Sequence, residues 1–76
     1  MLGVAALGEL PAALRRRVLR RAILAAGAPG AEVTRDHVLS VEALVTAWRG
    51  QKWVDLPGHL RAVRRDATLE VVPAPR

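Results

Sequence analysis

Arg16, Arg17, Arg20 and Arg21 are the residues of this sequence whose type and spacing could do chemistry. A guanidinium pairs bidentately with phosphate and stacks on bases. Placed on a helix at about 100° per residue, these four fall on one half of the wheel, with Leu24 among them. Leu14, Val18, Leu19, Ala22, Ile23, Ala25 and Ala26 fall on the other. No acid is spaced along this helix to neutralise the four, and like charges three and four apart cost a few tenths of a kcal/mol per pair. That pattern suits a polyanionic partner. A solvated helix face, or arginine richness inherited from GC-rich coding DNA, would give the same wheel. Arg15 differs, because it points into the apolar arc. The expected role is a structural ion pair with an acid from elsewhere in the chain, such as Glu9, Asp36 or Asp55.

No catalytic chemistry accompanies the arginines. His37 and His59 are the two histidines, and neither has a second ligand at metal spacing. Ser40 is the one serine and lies within a helical stretch, so no Ser/His/Asp set forms. The carboxylates are scattered, with none paired for acid/base work. No glycine-rich phosphate loop precedes a helix; Gly27-Ala28-Pro29-Gly30 follows one. Neither a cofactor nor a metal is expected in this chain.

The elements that must carry these residues follow from punctuation. Seventy-six residues form one domain at most, over 1–76, with a thin core and no cysteine to staple it. Pro11 reads as the first position of a helix over about 11–26, with Gly27 as its C-terminal stop. Thr34 offers an N-cap and Asp36 a favourable first-turn charge for a second helix over about 35–49, closed by Gly50. Val38, Val41, Leu44, Val45 and Trp48 share a stripe there, so Trp48 is expected to pack. Two helices joined by a short loop pack antiparallel. After Gly50 the period shortens to that of strands. Residues 53–56 are short and β-prone, and 60–64 and 68–72 alternate; Pro57-Gly58 and Arg65-Asp66 separate them, the latter a tight turn without the glycine expected there. Trp53 is expected over the helix–sheet junction, with stacking on an RNA base as the less favoured alternative. The fold class is therefore α+β: an antiparallel helical hairpin followed by a small two- or three-stranded antiparallel sheet, the meander spanning about 53–72.

The formal charge is +5, and eleven of the twelve cations are arginine. No stretch is apolar for long enough to span a bilayer, and the first ten residues lack a basic export region. The expectation is a cytoplasmic chain with no membrane partner.

An ordered series of short motifs goes beyond composition. It runs Leu10-Pro11-Ala12-Ala13-Leu14-Arg15-Arg16-Arg17-Val18-Leu19-Arg20, then Ala25-Ala26-Gly27, then Thr34-Arg35-Asp36-His37-Val38, then Leu44-Val45, then Trp48-Arg49-Gly50-Gln51, then Leu56-Pro57-Gly58. From about Leu2 to Val72 the chain resembles the segment that follows the catalytic domain in bacterial tRNA(Ile)-lysidine synthase. That family uses ATP to adenylate a wobble cytidine, which a lysine amine then attacks. The chemistry belongs to an N-terminal domain with an SGGxDS-type phosphate loop. Nothing like it exists here, so ATP and lysine are implied for that catalytic domain and not for this fragment. The resemblance implies a non-catalytic accessory domain, with tRNA and the catalytic domain as partners. Arg16, Arg17, Arg20 and Arg21 would contact phosphates, joined by Arg61, Arg64 and Arg65 from the hairpin. The competing reading is a packing or dimerisation module without nucleic acid, favoured by an arginine in the apolar arc. A small helix-turn-helix fits less well, because its loop would be too long and its more basic helix comes first.

Overall fold

The fold was taken from a computed structural model, which describes residues 1–75. Its elements are strand β1 (Leu2–Gly3), helix α1 (Val4–Glu9), helix α2 (Ala12–Ala25), a 3₁₀ turn (Gly30–Glu32), helix α3 (Arg35–Thr46), and strands β2 (Trp53–Leu56), β3 (Leu60–Arg65) and β4 (Thr68–Pro73).

Local signals place most boundaries. Pro11 is extended and sits one residue outside α2, as its N-cap, with its carbonyl accepting the Arg15 N–H. Gly27 takes a left-handed φ of 110° just past the helix end. Thr34 caps α3 reciprocally: its backbone N–H donates to His37 Nδ1 at 2.9 Å, and its Oγ1 accepts from the His37 N–H. α3 stops at Thr46, three residues before the expected Arg49. There the backbone leaves the helix at Ala47, and Gln51 takes over: Trp48 Nε1 donates to its carbonyl at 2.7 Å, and its side-chain oxygen accepts the Arg49 N–H. Trp48 consequently lies beyond α3 and is 40% exposed, not packed on the stripe as expected.

α2 and α3 pack antiparallel. The start of α2 (Arg15, Arg16) reaches Glu42 in the second half of α3, while Arg20 further along reaches Val33, just before α3 begins.

Among the described residues the sheet has four antiparallel strands in the order β1-β4-β3-β2, one more than the largest expectation. The extra strand comes from the N-terminus, where Leu2 pairs with Leu69 and Gly3 with Thr68. α1 was likewise not foreseen in the stretch MLGVAALGEL; it buries Val4 and Leu7. Asp66 closes the β3–β4 turn with φ 56°, a conformation that aspartate tolerates where glycine was expected. The helices cover one face of the sheet. Leu56, Leu60, Ala62 and Leu69 from that face join Leu19, Ile23, Val38, Val41 and Leu44 in one hydrophobic cluster. By strand alternation the other face carries Trp53, Asp55, Arg61, Val63, Arg65, Glu70 and Val72. Trp53 is thus on the uncovered side, 44% exposed, and does not cover the helix–sheet junction. Among the described residues, no helix is long and apolar enough to cross a membrane.

Candidate nucleic-acid interface

The buried face of α2 is rotated relative to the apolar arc of the wheel. Leu14 is 44% exposed and Ala25 and Ala26 face solvent, whereas Leu19 and Ile23 are fully buried with Arg15 and Arg16 beside them. The cause lies on α3. Glu42, buried among apolar neighbours, accepts from Arg15 Nε at 2.9 Å and from Arg16 Nε at 3.0 Å. A buried carboxylate must be paired, and these guanidiniums pair it. Burial opposes its ionisation, but the two arginines outweigh that and hold the Glu42 carboxyl below its usual range. Arg15 therefore makes the structural ion pair that was expected, but with Glu42 in place of Glu9, Asp36 or Asp55; it also donates to the Leu10 carbonyl at 2.9 Å. An acid 27 residues away cannot be found on one helix's wheel. With Arg15 satisfied inside its own chain, it no longer speaks for a surface that a second copy must cover.

The other predicted arginines divide by position. Arg16, Arg17 and Arg20 line a depression of about 380 Å³ between α2 and the start of α3. Ala13, Val38 and Leu39 form its apolar floor, and Arg35 enters from the opposite wall. Arg35 was not among the expected site residues. Its signal was present: a cation in the first turn of a helix, where the dipole disfavours positive charge, with no ion-pair partner among the described residues. Arg20 Nη1 donates to the Val33 carbonyl at 3.1 Å and is otherwise exposed. Arg21 is exposed but lies outside the depression, further around α2.

On the hairpin, strand alternation separates Arg64 from Arg61 and Arg65. Arg64 is on the covered face, where its Nη1 caps the Leu44 carbonyl at the end of α3 at 2.7 Å. Its Nε donates to the Asp66 carbonyl at 2.9 Å, and its guanidinium lies 3.9 Å from the Trp48 ring centroid. These contacts tie α3, the tryptophan and the β3–β4 turn together. Arg61 and Arg65 are on the open face. No group of three His, Cys, Asp or Glu side chains is placed to hold a metal among the described residues.

Residues 2–69 match the family described as the TilS substrate binding domain. The chain is 50% identical over 70 residues to a tRNA(Ile)-lysidine synthase of Thermobifida fusca, covering 92% of this chain and 22% of that protein. It is 48% identical over 67 residues to the synthase of Streptomyces coelicolor, covering 88% and 19%. It is 47% identical over 73 residues to that of Mycobacterium tuberculosis, covering 90% and 22%. The chain belongs to the TilS substrate-binding domain family. It spans about one fifth of the length of the relatives it matches. No solved structure matches it.

The motifs that carry the TilS resemblance turn out to be junctions of the fold. Leu10 and Pro11 place the start of α2, and the Leu10 carbonyl anchors Arg15. Trp48-Arg49-Gly50-Gln51 is the exit from α3, with Gly50 at φ 90°. Leu56-Pro57-Gly58 turns β2 into β3. Gly58, at φ 82°, lets the Gly27–Pro29 loop approach so closely that an added Cβ would sit 3.0 Å from Pro29 Cδ.

Proposed function

We propose that this chain is the tRNA-binding accessory module of a lysidine-forming synthase, non-catalytic in itself, and that the depression between α2 and α3 is where it holds RNA phosphates. The observation that carries this reading is the convergence of Arg17, Arg20 and Arg35 on one depression beside Arg16, while the carboxylate Glu42 is spent on Arg15 and Arg16 and is not paired with these three. Guanidiniums without counter-charges are what a phosphate backbone neutralises, and such contacts position a folded RNA without reading its sequence. Arg21 extends the basic surface along α2, and Arg65 offers a further cation on the sheet. The names of the relatives supply the substrate class, a tRNA. ATP and lysine belong to the chemistry of the parent's catalytic domain, the second partner of this module. No residue of this chain is assigned to either. A tRNA-modifying role places the module in the cytoplasm of a bacterium.

The test is a titration of the chain with tRNA at several salt concentrations. Affinity should fall steeply with salt, by about 0.9 in log–log slope per phosphate contact for a duplex. Arg17→Ala and Arg35→Ala should each lower that slope by about one while leaving the fold intact. Salt-independent binding, or an unchanged slope in both variants, would sink the assignment of this depression.

A further inference from the structure

We propose that the open face of the sheet, centred on Trp53 and Arg61, is a stacking platform for an unpaired nucleotide of RNA. The proposal rests on the RNA-binding reading above, but it uses a different face and none of the residues that line the depression between α2 and α3. Trp53 is one of only two aromatics in the chain, and it stays 44% exposed on edge strand β2. Its ring is not loose: the Arg61 guanidinium lies 4.1 Å from the ring centroid. A side chain already held in place loses little further freedom on binding.

Arg61 is itself under-used by the fold. Its Nη2 reaches Asp55 only at 3.9 Å, and its Nε is buried without a hydrogen-bond partner among the described residues. The depression around the pair measures about 410 Å³. Val63, the register partner of Trp53, and Val72, the partner of Arg61, give it an apolar floor.

Charge separates the possible occupants. Lys52 and Arg65 flank the Trp53 end, where a phosphate is favoured. Asp55 and Glu70 share the same face, and they would repel an extended row of phosphates. An aromatic with cations at one end and apolar floor beside it is the combination that single-stranded nucleic acid uses, with the base on the ring and the phosphate on the cations. A duplex presents phosphates and hides its bases, and it gains nothing from the ring.

The experiment uses the Trp48→Phe chain, in which Trp53 is the sole fluorophore. It is titrated with an eight-nucleotide oligouridylate and with a duplex RNA of the same length. Saturable quenching of Trp53 by the single strand, and not by the duplex, is expected. In the otherwise native chain, a fluorescein-labelled oligouridylate read by anisotropy should bind at least about fivefold more weakly to Trp53→Ala, the lower end of what one stacked base contributes. Trp53→Leu, which keeps an apolar side chain at the edge, should show the same loss and guards against misfolding of the alanine variant. Unchanged affinity in both variants, or equal quenching by duplex and single strand, overturns the platform. If Arg17→Ala and Arg35→Ala abolish oligouridylate binding while both Trp53 variants retain it, the single strand sits between α2 and α3 and the platform is wrong. If tRNA binding keeps its Arg17 and Arg35 dependence while Trp53 does nothing, only the platform fails.

Discussion

Removing Glu42 should cost this domain a large share of its stability, and the structure says how the cost divides. The carboxylate side chain is 9% exposed, Arg15 12% and Arg16 38%. In Glu42→Ala the Arg15 guanidinium stays buried with one acceptor left, the Leu10 carbonyl. Breaking a buried pair by deleting one partner costs about 3–5 kcal/mol, because the remaining charge is uncompensated. Arg16 can turn to water, so Arg16→Ala should cost only about 0–1 kcal/mol, as for an exposed pair. Arg15→Ala falls between, at about 1.5–3 kcal/mol, since Glu42 keeps Arg16. A domain of this size holds roughly 4–11 kcal/mol in total. At about 4–8 °C per kcal/mol, Glu42→Ala should lose at least about 12 °C in Tm at pH 7, read by far-UV circular dichroism. The double variant Arg15→Met/Glu42→Leu should recover most of that loss, because both charges and their desolvation leave together. The same triad gives a pH dependence. The Glu42 carboxyl titrates lower in the folded chain than its unfolded value of about 4.3. Its contribution is therefore complete above that value and disappears as pH falls through the lower folded value. Glu42→Gln should flatten that acid limb. A Glu42→Ala chain within about 1 kcal/mol of wild type, or an Arg16→Ala loss exceeding that of Arg15→Ala, would refute the reasoning.

Four further substitutions separate backbone strain, helix propensity, fold and ligand. Gly58→Ala forces a β-carbon to 3.0 Å from Pro29 Cδ and 3.3 Å from Ala28 Cα at φ 82°. It should cost at least about 1–2 kcal/mol in urea unfolding from the left-handed backbone alone. Gly8→Ala, where a β-carbon meets nothing within 4 Å, should instead stabilise α1 by about 0.5–1 kcal/mol. Arg64→Ala removes a charged cap on the Leu44 carbonyl, a second bond to Asp66 and the contact with Trp48, and should lose about 2–4 kcal/mol. Arg65→Ala should leave stability within about 0.5 kcal/mol while weakening RNA binding, so the neighbouring arginines separate fold from ligand.

Much of this molecule is legible residue by residue, because helix starts, helix stops and tight turns are local. Thr34 caps α3 through its own hydroxyl and the backbone three residues on. Gly27 closes α2 because only a residue without a β-carbon takes φ 110° without strain. The alternation of residues 60–65 and 68–73 sets two strands and which side chains share a face. The arginine-rich start of α2 and the TilS motifs are equally sequence properties. What tertiary structure alone decides is the partner across the chain. Glu42 lies 26 and 27 residues from the arginines it joins, and no helical period connects them. The fourth strand exists because Leu2 meets Leu69, a pairing that a two-residue segment cannot announce. Arg35 reaches the basic depression, and Arg64 reaches the end of α3, only once α3 is laid against α2 and the sheet. Of the arginine helix, then, the wheel shows that it is cationic. The pairing of its first turn with Glu42 sets which arginines hold the fold and which remain to meet a phosphate, because a buried carboxylate takes its counter-charges from whatever element folding brings beside it.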